Sequence, residues 1–178
     1  MMVRIPAMAV LILINYVLQT SLWPEMAVLG VTPDTTLILI VSYGMLRGEI
    51  EGALFGFAAG LLLDIFGGVY MGVYTLFGFT LGYVSGKPFR DFFKDNFFLP
   101  FFVVLVSTVV YQFAVYVFNF MFRGHVDLWF YFHTIILPTT VYTAVLAIPL
   151  YSLLHFINRH IETYENHRRH LFEEKKDD

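Results

Sequence analysis

Apolar residues gather into six stretches, at 5–22, 34–46, 52–66, 71–86, 97–122 and 134–157, separated by short polar breaks. Each is read, with its flanks, as a helix crossing a bilayer, which takes about 20 residues. The second and third are short, at 13 and 15 residues, and are expected to bury polar flanks or thin the bilayer. Small residues are periodic inside these stretches. Gly48, Gly52, Gly56 and Gly60 recur at four-residue steps that Asp64 continues, and Gly78, Gly82 and Gly86 repeat the step. Such a stripe bares one side of a helix to another backbone. Two consecutive stripes predict a compact hairpin joined through 66–70, or one stripe left open for a partner's helix.

Charge settles the direction of threading. With residue 4 on the inside, ten of the eleven Lys and Arg residues fall on that side, and Arg123 alone falls outside. Basic residues are retained on the cytoplasmic face during insertion, so both termini are expected inside. The chain then divides into a bundle of six transmembrane helices over 1–158 and a charged, helical cytoplasmic tail over 159–178. The first stretch ends in Thr20-Ser21-Leu22-Trp23-Pro24, lacks a small-x-small cleavage pattern, and is expected to remain as a helix.

The composition narrows the function classes. It is 58% hydrophobic with a mean hydropathy of +0.69, too apolar for an ordinary soluble domain of this size. Short loops leave no room for a soluble catalytic domain. The basic residues line one edge of the bundle and form no stripe of the kind that binds nucleic acid. Cysteine is absent, which removes disulfides and thiolate chemistry. The histidines lack metal-ligand spacing, and no nucleophile, phosphate-cradling or zinc motif is present, so no metal, cofactor or enzymatic activity is expected.

Asn15 and Gln19 share one face of the first helix and predict an interhelical contact. Thr32-Pro33-Asp34-Thr35 reads as a helix start, with Thr32 as cap and Asp34 in the first turn. Asp64, inside the third stretch, must find a donor, a wet cavity or a proton. Asp34 and Asp64 lie equally far from the Arg47–Glu51 turn, so an antiparallel hairpin brings them to similar depth as a candidate outward polar pocket. At the inner edge Arg47 is expected to act as a topology determinant and a cytoplasmic contact. Phe89, Phe92 and Phe93 recur at helical spacing and predict a helix lying flat on the membrane surface, with these residues as cytoplasmic contacts. Pro138 and Pro149 are expected to kink the sixth helix, with Thr139, Thr140 and Thr143 satisfying freed carbonyls.

Residues 33–72 resemble the rod shape-determining MreD family of bacteria. The resemblance is carried by Pro33-Asp34, Arg47-Gly48, Glu51-Gly52-Ala53, Gly56-Phe57, Gly60-Leu61-Leu62-Leu63-Asp64, Gly67-Gly68 and Gly72. It implies a multi-pass protein of the bacterial cytoplasmic (inner) membrane that works with MreC in cell-wall elongation. MreB filaments, RodA and its transpeptidase partner are implied as further members of the assembly. It also implies a fold similar to the S components of energy-coupling-factor transporters. The alternative reading is a small-molecule-binding transporter subunit of that S-component type.

Overall fold

The computed structural model describes residues 4–27, 30–67, 72–87, 98–123 and 128–174, and every regular element among them is a helix. α1 (Arg4–Val17) runs into a π-helical turn at Leu18–Leu22. α2 (Thr35–Arg47), α3 (Glu49–Phe66) and α4 (Val73–Gly86) follow, then α5 (Phe98–Arg123). A short α6 (Leu128–Tyr131) leads through a second π-helical turn, Phe132–Ile136, into α7 (Leu137–Glu174). Among the described residues, two segments, Pro100–Phe118 and Leu128–Arg159, are long and apolar enough to cross a membrane, while Met8–Leu22 and Thr35–Arg47 are apolar but shorter.

α2 occupies the centre and touches α1, α3, α4, α5 and α7. It is apolar on all sides, as a helix enclosed by others must be. Leu37, Ile38, Val41 and Met45 pack against Val104 and Tyr111 of α5 and Ala147 of α7. On its other side Leu39 and Ile40 meet Ile12 of α1, Phe55 and Ala59 of α3, and Leu154 of α7. At 13 residues α2 is about 20 Å long. Its neighbours leave none of its residues exposed.

A single residue joins α2 to α3. Gly48 has φ +98°, a conformation that side chains disfavour, and the chain reverses there within one step. α3 and α4 then lie backbone to backbone. A Cβ at Gly52 would stand 2.5 Å from the Gly44 Cα and the Gly82 carbonyl oxygen, and one at Gly56 would stand 2.5 Å from the Gly78 carbonyl carbon. At Gly60 it would meet the Thr75 Cα at 2.7 Å, and at Gly86 the Glu49 Cα at 2.5 Å. The stripes of α3 and α4 therefore face each other along the whole hairpin, and α2 closes on them through Gly44 and Ile40.

Three local expectations need revision. Helix α2 begins two residues later than the Thr32 cap implied: Asp34 is its N-cap, and the Asp34 carboxylate accepts from the Leu37 N–H at 3.0 Å. The last helix runs on through the charged tail as far as Glu174, as expected of that segment. Its irregularity is a widened turn at 132–136, just before Pro138, whose missing N–H and bulky ring disfavour a regular turn there. The threonines beyond Pro138 act differently from the expected repair of its carbonyls. Thr143 accepts from the Asp34 N–H at 3.1 Å, and the buried Thr140 hydroxyl has no hydrogen-bond partner among the described residues. Phe89, Phe92 and Phe93 of the expected surface helix lie outside the described residues.

Candidate functional site

The start of α2 is tied to the first helix on one side and to α7 on the other. The Asn15 amide donates to the Thr36 hydroxyl at 2.8 Å, and the Gln19 amide donates to the Pro33 carbonyl at 3.1 Å. The Gln19 oxygen accepts in turn from the Thr35 N–H at 3.1 Å and from the Thr35 hydroxyl. Gln19, in the π-helical turn, thus satisfies the Thr35 N–H, one of the donors that the first turn of any helix leaves open. Thr143 of α7 holds the Asp34 backbone from the opposite side.

Such interhelical bonds contribute roughly 0.6–1.7 kcal/mol each within membranes. Asn15→Leu is expected to destabilise by about 1 kcal/mol on that scale. A double-mutant cycle with Thr36→Val, read by thermal unfolding, should return a positive coupling. Purely additive losses would mean that the Asn15–Thr36 bond contributes nothing.

Asp64 performs for α4 the task that Asp34 performs for α2, but from a neighbouring helix. Its carboxylate accepts from the Tyr74 N–H at 3.2 Å, the Thr75 N–H at 2.8 Å and the Thr75 hydroxyl at 2.5 Å. The N-cap residue of α4 is Gly72, at φ +95°, which has no side chain to supply the bond. A negative charge at this place also complements the positive end of the α4 dipole. Asp64 is only 5% exposed, and these three donors are what make its burial tolerable.

Both aspartates lie at the end of the bundle opposite the Arg47–Glu49 turn, yet they line different spaces. Asp34 borders a cavity of about 210 Å³ with Gln19, Thr36, Leu63, Gly67, Tyr74, Tyr111, Gln112 and Val115. A much smaller void of about 20 Å³ lies against Asp34, Gly60, Gly78, Tyr74 and Tyr111. Asp64 instead forms part of the wall of a groove of about 530 Å³ on the outer surface of the α3–α4 hairpin. That groove is apolar, lined by Phe57, Leu61, Ile65, Leu76 and Phe79, all more than 40% exposed. The expected pocket shared by the two carboxylates is therefore resolved into a polar cavity with Asp34 and an apolar groove with Asp64. The hairpin's own packing separates them.

Residues 2–160 match the model of the family described as rod shape-determining protein MreD. The chain belongs to the MreD family. Neither the curated proteins nor the solved structures contain a match to it. An MreD protein is a rod-shape-determining membrane protein, which accords with the apolar helices described above. The likeness to S components rests on the family resemblance alone, since no solved structure supports it.

In this MreD chain the six glycines Gly52, Gly56, Gly60, Gly78, Gly82 and Gly86 are brought together inside one hairpin. Arg47 sits half-buried in the last turn of α2, where a cation complements the negative end of the helix dipole. Nearby at the same end, the Lys87 ammonium lies 4.5 Å from the centre of the Tyr83 ring. Among the described residues, no three His, Asp or Glu side chains are placed to hold a metal ion. Sequence reasoning passed over Tyr74, Tyr111 and Gln112, which complete the Asp34 cavity. Gln112 carried a usable signal, an amide in the middle of a 26-residue apolar helix. The tyrosines carried none, because tyrosine is common in spans and at their edges.

Proposed function

We propose that this MreD protein is a non-enzymatic scaffold of the bacterial cell-wall elongation complex. It crosses the cytoplasmic membrane six times with both termini inside, binds MreC, and couples it to MreB and to RodA with its transpeptidase partner. The observation that carries this reading is the family match over residues 2–160. The one-sided distribution of basic residues supports the threading.

The glycine faces are occupied by each other, so the docking surface for the single span of MreC moves to the lipid side of the same hairpin. The groove between Phe57, Leu61, Ile65, Leu76 and Phe79 is apolar and exposed, and it suits a transmembrane helix. An apolar groove of this kind favours association by packing, which is the main attraction between helices in lipid.

Filling the groove tests this. The double variant Leu61→Trp/Phe79→Trp is expected to reduce recovery of co-expressed MreC by about tenfold, the equivalent of roughly 1.4 kcal/mol, with an unchanged melting temperature. Undiminished recovery would remove the groove as the docking site. Affinity purification from native membranes tests the wider reading. MreC among the co-purifying proteins supports the scaffold, whereas a coupling subunit with ATPases would make the protein a transporter component of the S-component type. The polar cavity at Asp34 is the feature that favours that second reading.

A further inference from the structure

The cavity at the Asp34 end is rich in acceptors. Its polar lining comes from Gln19, Asp34, Thr36, Tyr74, Tyr111 and Gln112, and among the described residues no Lys, Arg or His contributes. Gln19 is committed to Pro33 and Thr35. The Asp34 carboxylate takes the Leu37 N–H and lies against the Thr36 N–H, and since a carboxylate offers about four acceptor positions, part of its capacity is unspent. No hydrogen bond among the described residues engages the Gln112 amide. The Tyr74 and Tyr111 rings, 6.2 Å apart and tilted by 50°, add aromatic surface that attracts a positive charge.

We propose that this cavity binds a primary ammonium group, carried by a lipid headgroup or by a free amine of similar size. The volume, about 210 Å³, lies below the roughly 300–1,000 Å³ of pockets for drug-sized ligands and suits an ethanolamine-sized group. A primary ammonium brings three N–H donors to the Asp34 carboxylate and the Gln112 amide oxygen, whereas a quaternary ammonium brings none. The positive end of α2 would by itself repel a cation. Asp34 reverses that sign, because its carboxylate covers the Leu37 N–H and shows its remaining face to the cavity. Desolvation makes a lone carboxylate costly, and an opposing charge with good hydrogen bonds offsets that cost. This inference stands independently of the MreC docking surface, which lies on the other side of the hairpin.

The test uses the full-length protein in nanodiscs of equal phosphatidylethanolamine and phosphatidylcholine, with retained lipid counted by native mass spectrometry. The wild type is expected to retain phosphatidylethanolamine over phosphatidylcholine by about tenfold, as charge-assisted hydrogen bonds permit. Asp34→Asn keeps the helix cap, since Asn caps about as well as Asp, and is expected to lose the preference with its melting temperature unchanged. Gln112→Leu, which no helix start depends on, should weaken it. Displacement of the lipid by free ethanolamine at millimolar concentration shows that the headgroup alone is recognised. Retention without displacement assigns the site to the lipid, and a melting shift with ethanolamine without lipid preference assigns it to a free amine. Equal retention of both lipids with no ethanolamine effect overturns the proposal, as does undiminished binding by Asp34→Asn. Loss of MreC recovery in that variant, with no amine binding by the wild type, would assign the cavity to a protein partner and equally end it.

Discussion

Leucine in place of Gly56 is expected to leave little folded protein. A Cβ at this position already stands 2.5 Å from the Gly78 carbonyl carbon and 3.1 Å from Ile40 Cγ2, before the rest of the side chain is counted. The main obstacle is backbone, which has no rotamer to change. α3 cannot retreat without separating Gly52 from Gly82 and Gly60 from Thr75, because one register holds all three contacts. Overpacking a tolerant core costs about 1–3 kcal/mol, and a forced separation of two helices should exceed that. Against a total stability of roughly 5–15 kcal/mol, such a loss is enough to depopulate the native state. Gly82→Leu should behave alike, since its Cβ would lie 2.5 Å from the Gly52 carbonyl carbon and 3.0 Å from the Ala53 nitrogen. Gly67→Ala is the contrasting variant. Its nearest neighbour would be the Leu63 oxygen at 3.6 Å, and the change should stay within about 0.5 kcal/mol. Size-exclusion profiles in mild detergent and melting temperatures decide the matter. A Gly56→Leu protein that elutes and melts like the parent would show that the hairpin does not depend on close backbone approach.

Asp64→Ala is expected to destabilise the protein by about 2–3 kcal/mol, the loss of a cap made by a charged acceptor. Three donors lose their partner together, and Gly72 offers no replacement. Asp64→Asn keeps one acceptor oxygen and should recover part of the difference. Thr75→Val removes only the hydroxyl bond and should cost about 1 kcal/mol. The melting temperatures should therefore fall in the order parent, Thr75→Val, Asp64→Asn, Asp64→Ala. Hydrogen exchange at the Tyr74 and Thr75 amides should accelerate most in the alanine variant. Unchanged exchange there would mean that the Asp64 carboxylate does not hold the start of α4.

Much of the architecture can be read directly from residue spacing. A glycine every four residues leaves a bare strip on a helix, and two such strips in consecutive helices predict the hairpin that α3 and α4 form. Asn15 and Gln19, one turn apart in an apolar helix, predict a polar contact face, because lipid gives an amide no partner. The contact they make is with Thr36, Pro33 and Thr35. Spacing could not identify those partners, since the approach of α1 to α2 depends on where all the other helices pack. Depth matching placed Asp34 and Asp64 at one end correctly, but it carries no information about azimuth. The two residues point to different sides of the hairpin and so line separate spaces.

The sequence by itself determined the helical class, the order and approximate limits of the long helices, and the family. These depend on local composition and on periods of three to four residues, which the chain carries whatever its neighbours do. Tertiary structure alone decided that α2 is the enclosed helix and that Asp64 caps a helix other than its own. It also decided that Tyr74, Tyr111 and Gln112 converge on Asp34. Each of these depends on the relative rotation of helices distant in sequence, and helix rotation is set by the packing of every face at once. An apolar helix reads the same along the chain whether lipid or protein surrounds it.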